Sequence, residues 1–378
     1  MLDGTGGRSR ARAVAARREE RMTTIAAVRA VLPEHAYPQD QLTDEFARLV
    51  LPGNARAHEL TARFHANSGV VTRHLALPMT EYRELAGFTA ANDAFLRVAV
   101  ELGSRAVVEA LADAGLEPAD VDTIVSVTTT GLAVPSLDAR IAARIGLRPD
   151  VKRLPVVGLG CLAGAAGIGR VHDLVHATPD AVAVLLSVEL CSLTFQRDDR
   201  SAANMVASGL FADGAAAVVA VGDERARDLP AGGPRPVVVD SLSHLYPGTD
   251  RAMGFDVGDT GLRIVLGAEV PDLVRGYLAD DVKALLDRHG LTIGDVARWI
   301  SHPGGPKVIE AIEAVLGLDR HELQLTWDSL ANVGNLSSAS VLHVFADTLA
   351  RRPAAAGDWG VLMAMGPGFA AELVLLRW

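Results

Sequence analysis

The stretch VVGLGCLAGAAGIGRVHDL, residues 156–174, decides how the rest of the chain is read. A β-rich run (155–160) ends among Gly158 and Gly160, and a helix of very small residues begins at Cys161. A strand that passes into a helix is the repeating joint of α/β proteins. Glycines on the approach allow a strained backbone and let a ligand come close. Ala163, Gly164, Ala165, Ala166 and Gly167 let the helix pack tightly against a neighbour. A thiol at a helix N-terminus feels the positive end of the dipole, which lowers its pKa and favours the nucleophilic thiolate. A free cysteine is equally a buried structural residue, so this segment alone leaves both readings of Cys161 open.

Outward from this joint the same grammar recurs. On the N-terminal side, residues 24–31 read as a strand, 98–114 as a helix, 123–127 as a strand and 137–145 as a helix. On the C-terminal side, 182–188 and 215–221 are continuous apolar runs, as expected of strands covered on both faces. PAGGPRP, residues 230–236, is a linker by composition. Beyond it come a helix over 270–289, a strand over 298–301, helices over 306–316 and 337–351, and strands over 360–365 and 371–376. Both halves close on a glycine-punctuated apolar hairpin, GLFADGAAAVVAVG (209–222) and GVLMAMGPGFAAELVLL (360–376). The pattern predicts a duplicated α/β fold with halves over 23–229 and 237–378.

Composition bounds the function. The 378 residues are 49% apolar and 22% charged, ordinary globular usage that excludes wholesale disorder. With 36 basic and 46 acidic residues the net charge is −10, and there is no long basic tract, which argues against nucleic acid as a partner. The two cysteines, Cys161 and Cys191, exclude a disulfide framework and a cysteine-based zinc site, and fit a reducing, cytoplasmic setting. No apolar run reaches the ~18 residues of a membrane span. Residues 1–22 are Arg-rich and almost devoid of large apolar side chains, and read as a disordered extension.

Two further polar residues stand in apolar settings. His302 lies in WISHPGGPKVIEAI (299–312), where a strand ends, HPGGP turns, and Pro306 suits the first position of a helix. Ligands of α/β sheets gather at such C-terminal strand edges, and the amides of Gly304 and Gly305 are free to face an anion. The alternative is a surface turn histidine. Asn335 lies in SLANVGNLSSASVLHVF (329–345), where it either caps the following helix or takes part in chemistry. The three residues make more sense together. A cysteine nucleophile needs a base or ion-pair partner, which His302 supplies. Acyl transfer and decarboxylation both develop negative charge on a thioester oxygen, to which His302 and the Asn335 amide can donate.

In this order, GLGCLAGAAG (158–167), SHPGGPK (301–307) and NVGNLSSAS (332–340) resemble the Cys–His–Asn motifs of thiolase-fold condensing enzymes. With AMGPGFAAEL (364–373) and SGLFADGAAAVV (208–219), they resemble the type III polyketide synthases, the chalcone-synthase-like family, over nearly the whole chain. The resemblance implies a five-layered αβαβα sandwich and a homodimer, with no cofactor beyond the coenzyme A thioesters used as substrates. It implies that Cys161 holds the chain as a thioester, and that His302 and Asn335 bind the malonyl thioester oxygen. Phe211 matches the family's gatekeeper phenylalanine, while Pro367, Gly368 and Phe369 match the loop at the cavity floor. Ser337, beside the Asn335 motif, is expected to face the substrate. Of the family's basic cluster for coenzyme A only Arg63 remains, between Leu60 and Asn67, with Lys307 as a compensating cation. An acyl carrier protein is therefore an alternative donor of starter units.

Thr130, Val134, Cys191 and Ile264 match small or aliphatic cavity positions of bacterial members that accept long acyl chains. VTTTGLAVPSLDARIAARIGLRP (127–149) and SVELCSLTF (187–195) resemble the actinobacterial alkylpyrone-forming branch. The expected reaction is extension of a medium or long fatty acyl-CoA with malonyl-CoA and closure to an alkylpyrone, with an alkylresorcinol as second choice. The nearest rival is a single-condensation β-ketoacyl-carrier-protein synthase III, against which HPGGPK argues. An HMG-CoA-synthase-like enzyme would need a catalytic glutamate, for which Glu101 and Glu109 look too solvated. A non-catalytic acyl-binding partner of the same fold is the rival of a different class.

Overall fold

The computed structural model describes residues 22–378, so the Arg-rich extension lies, apart from Met22, outside the described residues. The first half runs β1 (Thr23–Val31), β2 (His35–Pro38), α1 (Gln39–Val50), α2 (Ala55–Ala66), β3 (Thr72–Leu75), α3 (Gly87–Ala114) and β4 (Thr123–Thr128). It continues with α4 (Leu137–Ile145), β5 (Lys152–Val157), α5 (Ala163–His176), β6 (Val182–Leu190), α6 (Ala202–Leu210) and β7 (Asp213–Gly222). The second half opens with β8 (Val237–Leu245), β9 (Met253–Gly258), β10 (Gly261–Leu266), α7 (Val270–Asp287), β11 (Val296–Ser301) and α8 (Pro306–Leu316). It closes with α9 (Gln324–Val333), α10 (Ser340–Arg351), β12 (Trp359–Gly366) and β13 (Ala370–Arg377).

Nine strands form a mixed sheet in the order β11-β12-β13-β8-β1-β7-β6-β4-β5. The duplication is written in its pairing. In the first half β4 lies parallel to β6, β6 antiparallel to β7, and β7 antiparallel to β1. In the second half β11 lies parallel to β12, β12 antiparallel to β13, and β13 antiparallel to β8. The halves meet in only two residue pairs, Thr23↔Val238 and Thr24↔Val237, so the sheet folds over at this seam.

Helices α5 and α10 fill the space between the two half-sheets, each packing on strands of both. Helices α3 and α4 cover the outer face of the first half, and α7 and α8 that of the second. Strands β6 and β7 are buried along their whole length, because both of their faces are covered. Their side chains alternate between cores. Val182, Val184, Leu186 and Val188 face the outer core under α3, and Ala183 and Leu185 face the central one. With a third core under α7 and α8, around Val282, Trp299 and Ile309, the result is the expected five-layered αβαβα sandwich.

The small residues of α5 follow from its place in the middle layer. A Cβ on Gly164 would lie 2.3 Å from the Ser338 carbonyl oxygen, and one on Gly167 would lie 2.4 Å from Leu185 Cδ1. The strand expected over 155–160 is instead Lys152–Val157, an exposed edge, and the chain turns at Gly158. Helices α1, α2, α6 and α9, strand β8 and the β2–β3 and β9–β10 hairpins are additions to the sequence reading. Among the described residues no helix is long and apolar enough to cross a membrane.

Candidate active site

Cys161 sits in a single 3-10 turn, Gly160–Leu162, between β5 and α5. Gly158 (φ 98°) and Gly160 (φ 55°) both require the left-handed region, and a Cβ on Gly160 would strike Pro367 at 2.4 Å. The strained, close-packed joint therefore exists, and it brings the Pro367 loop onto the cysteine turn. The Cys161 thiol donates to Ser337 Oγ at 3.6 Å. Ser337 is the one non-glycine residue at positive φ (49°) among the described residues, held there between the Asn335 turn and α10.

His302 follows β11 and is 3% exposed, which removes the surface-turn reading. Its backbone amide donates to the Met363 carbonyl on β12 at 2.9 Å, and its ring Nδ1 is buried without a hydrogen-bond partner. Asn335 is fixed on both sides of its backbone: its amide donates to the Leu210 carbonyl (2.9 Å) and its carbonyl accepts from Ala212 N (2.8 Å). Phe211 pairs with it in an isolated parallel bridge. The Asn335 side-chain oxygen accepts from Ser337 N (2.8 Å) and Ser340 Oγ (3.5 Å). Its oxygen is thus spent on capping, and its NH₂ remains a free donor.

Cys161, His302, Asn335, Ser337 and Phe211 line one cavity of about 650 Å³. Thr130, Cys191, Ile264, Pro367 and Phe369 line it too, as do Gly304, Gly305 and Lys307. Ionisation differs from the sequence expectation. Burial pushes the Cys161 thiol up to about 12 and His302 down to about 3. The helix-dipole argument for a resting thiolate is overridden by desolvation, so thiol and imidazole are both neutral at pH 7. Buried Cys191 is also driven far above its ordinary value.

Three other expectations are corrected, those for Val134, Gly368 and Gly304, and the place of Arg63 is defined. Val134 is 96% exposed and points away from this chain's cavity, because the chain leaves β4 and passes through the Val134–Pro135 peptide at the surface. Arg63 is exposed on α2 and does not line the cavity, whereas Asn67, one turn on, does. Gly368 lies outside the wall formed by its neighbours; its φ of 97° shapes the turn, and its carbonyl accepts from Thr249 Oγ1 at 2.9 Å. The Gly304 amide is already donated to the His302 carbonyl at 2.9 Å, leaving only that of Gly305 for an anion.

The sequence reading missed several neighbours. Glu189 is fully buried on β6 and accepts from Thr129 N (3.1 Å), Thr129 Oγ1 (3.1 Å), Thr130 Oγ1 (2.8 Å) and Ser338 Oγ (2.5 Å). Desolvation raises its pKa. A glutamate inside the apolar run SVELC was the signal. Met253, Phe255 and Arg73 also line the cavity, on hairpins that carry little periodicity.

Comparison with known proteins agrees with this geometry. The profile of "Chalcone and stilbene synthases, N-terminal domain" matches residues 10–224, and that of the C-terminal domain matches residues 238–378. The chain is 52% identical to 1,3,6,8-tetrahydroxynaphthalene synthase of Streptomyces peucetius subsp. caesius, over 95% of this chain and 94% of the relative. It is 32% identical to a putative chalcone synthase of Bacillus subtilis, over 94% and 99%. Among solved structures it superimposes on the tetrahydroxynaphthalene synthase of Streptomyces coelicolor A3(2) with a TM-score of 0.87 at 31% identity, covering 94% of this chain and 99% of that one. For PKS-I of the brown alga Ectocarpus siliculosus the values are 0.86, 27%, 94% and 98%. The single-condensation and non-catalytic readings gain no support from these relatives. The chain belongs to the chalcone and stilbene synthase family and is a bacterial type III polyketide synthase, an acyl-transferring enzyme.

Proposed function

We propose that Cys161 carries the growing acyl chain and that His302 and Asn335 drive decarboxylative extension with malonyl-CoA. The observation that carries this reading is the convergence of the three on one cavity, with the Asn335 NH₂ left free as a donor. In loading, the Cys161 proton passes to His302 while the sulfur attacks the acyl-CoA carbonyl. The coenzyme A thiolate leaves and takes that proton. In extension, malonyl-CoA loses CO₂, and the electron pair of the broken C–C bond forms an enolate whose oxygen accepts from His302 and Asn335. The enolate carbon attacks the Cys161 thioester, expelling the Cys161 thiolate. The extended chain is then transferred back from coenzyme A to the sulfur.

For the product, the 52% identity to a tetrahydroxynaphthalene synthase supports a malonyl-derived aromatic polyketide, oxygenated at alternate carbons as repeated two-carbon extension requires. A second reading keeps the long fatty acyl starter and alkylpyrone. It is favoured by the aliphatic wall of Met253, Ile264, Leu266 and Val274. Mass spectrometry of products separates the two: malonyl-CoA alone should give the aromatic product, and a preference for added fatty acyl-CoA would establish the second reading. Lys307 and the Gly305 amide, at the cavity wall, are proposed to meet coenzyme A phosphates, with an acyl carrier protein as the alternative donor of starter units. A second copy of this chain is proposed to cover β5, an edge strand that exposes Leu154 and Val157 beside the loop carrying exposed Leu132 and Val134. Val157→Lys should shift the sedimentation coefficient from dimer to monomer.

A further inference from the structure

We propose that Arg73 is a positioning residue for the decarboxylation half of the reaction, acting through the backbone that carries Asn335. The inference rests on the roles proposed above for His302 and Asn335. Arg73 lies on β3, is 5% exposed, and lines the cavity. Among the described residues no carboxylate lies within ion-pair distance of it. Burial lowers its guanidinium to about 10, so it remains charged at neutral pH. Asp213 attracts this charge from beyond ion-pair distance, and the remaining cost of burial is met by hydrogen bonds that lead to one place.

Arg73 Nη1 donates to the Phe211 carbonyl at 2.9 Å, and Nε donates to Gln39 Oε1 at 2.9 Å. Gln39 Nε2 in turn donates to the Gly209 carbonyl at 2.6 Å. The residues on either side of Phe211, Leu210 and Ala212, are those that hold the Asn335 backbone. On the other flank, a Cβ on Gly334 would lie 3.2 Å from Arg73 Cγ and 3.1 Å from the Leu210 carbonyl oxygen. The arginine therefore grips the 209–212 segment with its head and abuts Gly334 with its stem. Asn335 is fixed between the two, so the place of its NH₂ is set by Arg73 without contact between the side chains. Thiol acylation at Cys161 uses a different element, the turn before α5, and meets this grip only through the long Cys161–Ser337 hydrogen bond.

The test separates the half-reactions. Malonyl-CoA decarboxylation is measured as CO₂ release in a Cys161→Ala parent, alone and combined with Arg73→Met, Arg73→Lys or Gln39→Leu. Acylation of Cys161 is measured in the same Arg73 and Gln39 variants with the cysteine intact, by intact-protein mass after mixing with an acyl-CoA. Arg73→Met should lower decarboxylation about tenfold or more, as sub-ångström misplacement of a donor does, and leave the acylation rate within about threefold. Arg73→Lys, which keeps the charge and one donor, should recover most of the decarboxylation. Gln39→Leu should show the same split more weakly, and it decides the matter if Arg73→Met does not fold. Equal loss in both half-reactions, or unchanged decarboxylation, overturns the proposal. A Cys161→Ala parent that releases no CO₂ refutes the roles of His302 and Asn335, and that of Arg73 with them.

Discussion

Replacing Gly164 by alanine tests whether the middle layer sets the geometry of the site. The added Cβ would lie 2.3 Å from the Ser338 carbonyl oxygen and 2.7 Å from Val341 Cγ1. Relief to an ordinary C···O contact of ~3.3 Å demands a shift of about 1 Å between α5 and the start of α10. Overpacking of this kind costs roughly 1–3 kcal/mol. With ~2.1 cal/mol/K per residue of unfolding entropy, that lowers the melting temperature by about 1–4 °C. The shift falls between Cys161, at the start of α5, and Ser337, which accepts its thiol hydrogen bond. Product formation should therefore drop by on the order of 100-fold, far beyond the effect on stability. The control is Gly276→Ala, mid-helix in α7 with nothing within 4 Å of the added Cβ. It should stabilise by about 0.5–1 kcal/mol and leave turnover unchanged. Thermal melts and coenzyme A release measured in parallel provide the readouts. Indistinguishable melting and turnover for the two variants would refute the claim that close approach at Gly164 fixes the site.

The other expectations concern chemistry, cavity and pH. Cys161→Ala should abolish chain elongation yet retain malonyl-CoA decarboxylation, whereas His302→Ala should lose both by roughly 100-fold or more; equal decarboxylation in wild type and the His302 variant would contradict the assignment. Cys191→Phe, which fills part of the cavity wall, should shorten the chains found by mass spectrometry while Cys161 acylation by acetyl-CoA persists; an unchanged product profile would remove Cys191 from the wall that measures length. Burial holds His65 and His302 at about 3 and His343 at about 4, each below an ordinary 6.5. Because these folded values are depressed, the unfolded chain takes up protons first as pH falls below ~7, so stability should decline through that window at ~1.4 kcal/mol per unit of displacement per histidine. Asp213 opposes this: its pKa is raised from 3.8 to about 6, so the fold binds its proton more tightly over that interval. His343→Gln should flatten the dependence of melting temperature on pH between 7.5 and 4.5, and an unchanged slope would sink the argument.

Much of the fold was legible because burial on both faces leaves an unmistakable trace. Strands β6 and β7 read as unbroken apolar runs, α4 and α8 have the bounds predicted from periodicity and capping, and the duplicated order of strands follows from repeated grammar. Cys161, His302 and Asn335 were legible for another reason: each is a polar residue at a glycine-marked joint, where local backbone demands restrict the sequence. What escaped was whatever depends on partners distant in the chain. Helix α2 buries only Thr61 and His65, and edge strand β5 is exposed, so neither leaves a clear period. Only the tertiary structure shows that Val134 faces outward, that Arg63 stands off the cavity, and that Arg73 reaches the Phe211 carbonyl. It also decides the ionisation of the site. A sequence shows the helix start that would favour a thiolate, but the desolvation that raises the thiol to about 12 is a sum over every layer packed around it. Local joints are determined by residues next to one another, whereas cavity walls and buried charges are determined by segments that meet only once both halves have folded.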